Sequence, residues 1–574
     1  MKIFKLFPLA CAALMMSACS SDDASNGGST GVNDPQYLSV NIVNVGATPT
    51  GRGTDPEYEG GTKEENTINK VRFYFFNGDG SPYLIKAPGV EGDGVTTGKE
   101  EVNWLEATPG DDKTTSGTPS HVEKITNAVL VINGVQSAAP SSIVAVVNPE
   151  TVGAATLNND GQMRLSELRE KAVGSKFYQP NASGNASDFV MSNSVYVNAG
   201  ADVCASLVAG HVATTAEDAK ANPVDLYVER VAAKVTADFD SNAFKVGNGT
   251  DWDATQYGTT KAVGKIGDYD VYAVIDGWGL ADENGKAEIE KQVDSKTWSD
   301  GIIGITPWTT YDYHRCFWEN SVVFGSGAGA NRPVNHPFND FIAKKQDVLY
   351  TLPNTPLNPI VTNVYDNLVT KFLVAATLKY EDDSHNWHTA EICRYNGVQF
   401  LGVDNLKTQV ALIFSKYYTS TDKATYTQLT KDDITFAEPT TSMKNYQVTP
   451  TLVNDPAKKY YTKSSNGKYT EVGKDEVNAA IGADKAEIRT DGKAYYFVPI
   501  RHLATDPTTV GYYGVVRNHF YKINLTGIKG FGTPVYNPKK EIDPTVPSYS
   551  DTYLAARVQV LQWRIVNQNV SLGE

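Results

Sequence analysis

Apolar and polar residues alternate along this chain with a period of two, and that period admits β-strands and little else. Leu38-Ser39-Val40-Asn41-Ile42 is a clean instance. Val71-Arg72-Phe73-Tyr74-Phe75 follows and runs into Asn77-Gly78-Asp79-Gly80, a hairpin-turn composition. Continuous apolar runs at Val129 to Ile132 and Ile143 to Val147 predict strands buried on both faces. Further strands are expected over 225–239, 348–352, 371–380, 408–414, 495–499 and 520–528, and one helix over 163–172 with Leu165 and Leu168 on its apolar face. The 48 glycines, 31 tyrosines and 20 phenylalanines, against six methionines, suit many strands joined by turns. The fold class expected is all-β, with β-sandwich domains over 53–222 and 223–533 divided at Ala221-Asn222-Pro223.

The 574 residues have room for a sizeable core, and a net charge of −15 argues against nucleic acid or anionic membrane as partner. Candidate chemistry is sparse. Gly325-Ser326-Gly327-Ala328-Gly329 is followed by Asn331, Arg332 and Pro333 where a phosphate-binding helix would start, so it reads as a loop. Glu381-Asp382-Asp383-Ser384-His385-Asn386-Trp387-His388 gathers carboxylates and imidazoles but follows a strand and reads as a solvated turn. No catalytic residue, cofactor or metal site is expected. Cys204, Cys316 and Cys393 cannot all pair and read as buried small hydrophobes. An internal repeat joins Lys416-Tyr417-Tyr418-Thr419, Tyr426-Thr427 and Lys431-Asp432 to Lys459-Tyr460-Tyr461-Thr462, Tyr469-Thr470 and Lys474-Asp475. It predicts a tyrosine-rich insert over 416–490, either a duplicated surface hairpin or a recognition module.

The two ends carry the most function. Lys2 and Lys5 precede an apolar stretch from Leu6 to Met16, too short to span a bilayer, which ends in Met16-Ser17-Ala18-Cys19. These residues resemble a bacterial lipobox, so 1–19 is expected to be a lipoprotein signal peptide with acylation on Cys19 and a lipid anchor in the outer membrane. Asp22-Asp23 beside that cysteine is similar to the surface-export signal of Bacteroidales lipoproteins. After the tether comes a strand with Leu38, Val40 and Ile42 on one face, then a small-residue loop and Arg52-Gly53. A trypsin-like cut there would release 20–52 as a propeptide and leave an apolar groove edged by unpaired backbone groups. At the other end an arm with four prolines, Pro534 to Ser550, precedes a strand-like segment with Val558, Val560, Leu561, Trp563 and Ile565, so 534–574 is expected to be arm and strand. Val40-Asn41-Ile42 and Val558-Gln559-Val560 share one pattern, so the last strand of one subunit could replace the lost first strand of the next.

The chain resembles the minor-fimbrium subunits, the fimbrillins of Bacteroidales type V pili. The carrying residues are Val516-Arg517-Asn518 with Phe520-Tyr521-Lys522-Ile523, Leu352-Pro353-Asn354-Thr355, Tyr311-Asp312-Tyr313 with Phe317-Trp318-Glu319, and the tail Val558 to Trp563. Phe189 to Asn193 and Val228-Glu229-Arg230 add to them. The resemblance implies two transthyretin-like sandwiches in tandem, cleavage after Arg52 by an arginine-specific protease, and polymerisation with identical or related subunits by strand donation. It places the precursor on the outer membrane and the product in a cell-surface fimbrium that supports adhesion to a host or bacterial receptor. The family also holds anchor and tip subunits; a processing site together with a donor tail points to the stalk. The alternative is a monomeric surface lipoprotein that binds glycan or host protein through its tyrosines.

Overall fold

The computed structural model describes residues 36–45, 61–86, 101–108, 122–132, 138–157, 161–293, 318–356, 368–544, 553–561 and 567–568, with short breaks inside the longer stretches. The first sheet is built from β1 (Gln36–Val45), β2 (Val71–Phe76), β3 (Trp104–Ala107), β4 (Val122–Ile132), β5 (Ser142–Val147), β6 (Met191–Asn193) and β7 (Val224–Arg230). Its order is β1-β7-β6-β5-β2-β3, with β4 along the other edge of β1. β2 and β5 each lie between neighbours and are buried at every position, as continuous apolar runs require. Arg72 is tolerated inside β2 because Glu106 of β3 pairs with it at 2.5 Å and Trp104 lies 4.2 Å beneath its guanidinium. In β4 the expectation of burial on both faces fails: Leu130 and Ile132 are buried but Val131 is 44% exposed, so that strand keeps an open face.

The second unit packs two sheets around one core. β8 (Ala233–Phe239), β9 (Tyr269–Ala281), β10 (Leu349–Thr351), β11 (Lys371–Glu381), β12 (Lys493–Pro499), β13 (Phe520–Lys529) and β14 (Tyr553–Leu561) are its main strands. One sheet runs β10-β8-β13-β14, the other β9-β11-β12 with shorter strands at both edges. Val235, Tyr521 and Ile523 from the first meet Val271, Phe372, Val374 and Tyr496 from the second.

The division at Asn222 and the single strand over 225–239 are both revised. β7 belongs to the first sheet and β8 to the second, so the crossing is Val231-Ala232, both buried. The cause is a change of phase: Val224, Leu226 and Val228 face the first core, whereas Ala233 and Val235 face the second.

That crossing is lined by buried charge. Arg230 bonds through Nε to the Glu65 carbonyl at 2.9 Å and through Nη1 to Asn518 Oδ1 at 3.2 Å. Lys291 Nζ meets Glu229 Oε2 at 2.8 Å, and Arg517 Nε meets Glu319 Oε2 at 2.8 Å. Beside them Glu290 is wholly buried, and neither of its carboxyl oxygens has a hydrogen-bond partner among the described residues. Burial pushes its carboxyl from 4.5 up to about 8, against the pull of Arg517 and Arg169. Between those values the folded chain keeps a proton that the unfolded chain releases. This group's stabilising contribution is therefore complete below 4.5 and lost as pH rises through about 8. Glu290→Gln should raise the melting temperature at pH 8 and leave it nearly unchanged at pH 4.5, which scanning calorimetry at the two pH values would read.

The tyrosine-rich insert is larger than 416–490. Its core runs from Cys393 to Ile488, and its base is closed where Cys393 pairs with Ile488 and the Arg489 amide donates to the Ile392 carbonyl at 3.2 Å. The strand expected at 408–414 is a helix, Val403–Ile413, because Leu406 and Val410 are one turn apart and both point into that core. The two repeat copies form one four-stranded sheet in which their first strands pair, Tyr417 with Thr462 and Tyr418 with Tyr461. Tyr417 and Tyr460 face the core. On the other side Tyr426 and Tyr469 stack at 4.0 Å, and each meets a central tyrosine edge-on, Tyr461 at 4.9 Å and Tyr418 at 5.0 Å. The contacts of one copy thus mirror those of the other. Because the insert's ends meet as paired strands, replacing residues 394–487 by Asn-Gly should leave the main sandwich folded. Near-UV circular dichroism and a single melting transition would check this.

Candidate functional site

β1 is the element on which the functional reading turns. It pairs antiparallel with β4 from Gln36↔Ile132 to Val45↔Val122, with one register shift between Val43 and Val45. Its other edge pairs parallel with β7 from Val40↔Val224 to Asn44↔Val228, and Tyr37 and Leu38 meet Ala213 and Val212. Leu38 and Val40 are fully buried in the first core, as their alternation predicts. Ile42 lies in the same strand, with its side chain outside the described residues. The helix Ala216–Ala221 lies against β1, held by a cap in which the Thr215 hydroxyl accepts from the Asp218 amide at 3.1 Å. Sequence reasoning missed β7 as the neighbour of β1. The alternation of Val224, Leu226 and Val228 held that signal, but a parallel partner far along the chain cannot be read from local pattern.

The last strand is held differently. β14 pairs antiparallel with β13 from Lys529↔Tyr553 to Phe520↔Leu561, with a register shift between Leu525 and Gly527. Along its other edge, among the described residues, Val558 and Gln559 pair with Gln568 and Asn567. Val558, Val560 and Leu561 are therefore in a strand, placed on their own chain; Trp563 and Ile565 lie outside the described residues. Cys19, Arg52 and Gly53 also lie outside them.

The remaining candidates separate cleanly. Cys393 is a buried free thiol that burial pushes up to about 12, which fits a small core hydrophobe; Cys204 and Cys316 are outside the described residues. The run at 381–388 is the turn between β11 and the strand Trp387–Thr389. The Asn386 amide and the His388 ring hold Asp382 down at about 2. Among the described residues no group of His, Cys, Asp and Glu could hold a metal ion, and no helix is long and apolar enough to cross a membrane.

Packed sheets with few helices among the described residues define an all-β protein. Residues 489–569, which carry β12, β13 and β14, match the family described as "Major fimbrial subunit protein type IV, Fimbrillin, C-terminal". No curated protein matches it in sequence. Similar solved structures include a provisionally assigned cell adhesion protein from Parabacteroides distasonis, at 11% identity and TM-score 0.32, covering 95% of this chain and 100% of that one. Another, of the same provisional assignment, comes from Bacteroides eggerthii, at 11% identity and TM-score 0.31, covering 93% and 99%. The tip fimbrial protein Mfa3 from Porphyromonas gingivalis, with C-terminal truncation, is similar at 9% identity and TM-score 0.29, covering 92% and 100%.

Proposed function

We propose that this chain is a structural subunit of a cell-surface fimbria and polymerises by protease-triggered strand exchange. The family match supports the fimbrial role. The observation that carries the exchange is the unequal pairing of the two terminal strands. β1 is bonded along both edges, whereas among the described residues β14 has one full ladder and a second that reaches two of its residues. A β14 that leaves its own β13 and enters a neighbour's empty β1 position exchanges one full ladder and one short one for two full ladders. Each ladder hydrogen bond contributes roughly 0.5–1.5 kcal/mol, and each buried Val- or Leu-sized side chain about 1.5–3 kcal/mol. That sum exceeds an association and ordering cost of about 4–15 kcal/mol.

In this reading Cys19 carries a temporary lipid anchor to the outer membrane, and an arginine-specific protease cuts between Arg52 and Gly53. The cut frees Leu38, Val40 and Ile42 with their strand. Val558, Val560, Leu561, Trp563 and Ile565 of the next subunit then fill the slot between β4 and β7. The contact is head-to-tail and does not close, so it propagates as a fibre that can present the subunits to a surface receptor. The test is to treat purified precursor with trypsin and follow it by SDS gel. Cleavage near Arg52 with ladders resistant to SDS is expected, and an Arg52→Ala precursor should stay monomeric. A wild-type protein that is cut at Arg52 yet stays monomeric sinks the exchange.

A further inference from the structure

At one end of the second unit a buried lysine and a buried aspartate meet from adjacent strands. Ala281, the last residue of β9, pairs with Lys371, the first of β11, so Asp282 emerges beside the lysine. Lys371 is 1% exposed and Asp282 2%, and Lys371 Nζ contacts Asp282 Oδ2. On its other side Lys371 pairs with Pro499 of β12, which keeps it inside the sheet. Leu373 and Ala375, on the same face of β11, pack with Phe338, Phe341 and Ile542, so the pair sits at the rim of an apolar layer.

Three features go beyond what an ion pair needs. Asp282 has a left-handed backbone, with φ 51°, which is uncommon outside glycine. It is fixed there from several directions. Its amide donates to Asn335 Oδ1 at 2.8 Å, and its carbonyl accepts from Asn354 Nδ2 at 3.0 Å and Thr370 Oγ1 at 3.3 Å. Second, Asn335 Nδ2 donates to Asp282 Oδ1 at 3.1 Å, so the carboxyl oxygen that faces away from the lysine already has a donor. Third, another carboxyl stands near enough to feel both charges. Asp543, whose carbonyl accepts from the Tyr495 hydroxyl at 3.2 Å, is held above the ordinary carboxylate range by partial burial and by Asp282, against the pull of Lys371. The residue is also open to solvent, from which it can recover a proton.

We propose that Lys371 and Asp282 condense into an intramolecular amide bond that ties β9 to β11. A proton passes from the ammonium to the carboxylate across their contact and leaves a neutral amine against a neutral carboxyl. Nζ then attacks Cγ, and the charge that develops on Oδ1 is met by the Asn335 amide. Asp543 relays a proton from Nζ to Oδ2, the bond from Cγ to Oδ2 breaks, and water leaves. Of the three ammonium hydrogens one stays on the amide nitrogen and two depart with Oδ2, so the step needs no oxidant and no cofactor. Groups held in contact in this way react with effective molarities of roughly 10⁵–10⁸ M. The neutral product also removes the cost of keeping two charges out of water. The tie joins residues 89 apart in sequence, so tension on the chain cannot draw out the segment between them.

The test is to unfold the purified full chain, digest it to completion with trypsin and map it by tandem mass spectrometry. Trypsin should fail to cut after Lys371, and residues 266–286 and 346–379 should appear as one branched peptide, lighter than their sum by one water. Lys371→Arg keeps the positive charge and should release the two parts separately. Asn335→Ala and Asp543→Asn leave both reacting groups in place and should each slow the linkage about a hundredfold or more, read as the branched fraction of freshly made protein against time. Normal cutting after Lys371, with every fragment at its sequence mass, overturns the proposal. A lost water confined to residues 266–286 overturns it as well, because that is a cyclic imide of Asp282 alone. Linkage at the wild-type rate in both variants overturns the roles given to Asn335 and Asp543.

Discussion

Precursor lacking residues 551–574 is expected to be cut at Arg52 at the normal rate and to form no ladder at all. The deleted segment holds β14, the proposed donor, while the proposed slot between β4 and β7 lies in the other half of the chain and is untouched. Deletion also opens the edge of β13 along its whole length, so the second unit should melt at a lower temperature. Two further arms separate assembly from stability. Val558→Asp with Val560→Asp keeps the chain length but places two charges on one face of the donor, which should remove ladders as completely as the deletion does. A synthetic peptide of residues 551–574 added during trypsin treatment of intact precursor should occupy the emptied slots and shorten the ladders in a dose-dependent way. Ladders that persist in the deletion, at the wild-type length, would rule out the C-terminal strand as donor.

Glu319→Ala should destabilise the chain by about 3–5 kcal/mol, the largest loss expected from any single substitution here. Glu319 is 1% exposed and accepts from both the Arg517 amide and the Arg517 Nε, each at 2.8 Å. Burial alone would lower the affinity of Arg517 for its proton; Glu319 reverses that and holds it above the usual value. Without Glu319 the guanidinium keeps the Ile289 and Glu288 carbonyls, at 2.8 and 2.9 Å, but loses the carboxylate that neutralises it in place. Replacing both partners, Glu319→Leu with Arg517→Met, should recover most of the loss, because the penalty lies in the stranded charge more than in the missing bond. Urea unfolding of the two single variants and the double variant would measure the coupling. A loss under about 1 kcal/mol for Glu319→Ala, or a double variant no better than the singles, would show that the pair is not a coupled unit.

The strand content and several strand faces were legible in the residues. Leu38 and Val40 are buried as their alternation predicts, and the apolar run from Ile143 to Val147 is enclosed on both faces. Composition misleads where it conflicts with period. Thr408 to Phe414 is rich in β-branched and aromatic residues, yet Leu406 and Val410 already had helical spacing. The division at Asn222 came from local turn composition, whereas the true crossing at Val231-Ala232 is marked by the buried positions changing parity.

By itself the sequence determined that this chain is a protein of strands, that segments near both ends are strand-like, and that its tyrosine motif is duplicated. These follow from local period and composition, which act over a few residues. Only the tertiary structure decided which strands are neighbours: β1 against β7, Arg517 with Glu319 at a separation of 198 residues, and Arg230 with Asn518 at 288. It also decided that residues as distant as Tyr178 and Thr351 line one cleft. The reason is physical. Backbone ladders accept almost any side chain, so the choice among partners is made by burying whole faces and by neutralising each buried charge, and neither is a property of a short stretch of chain.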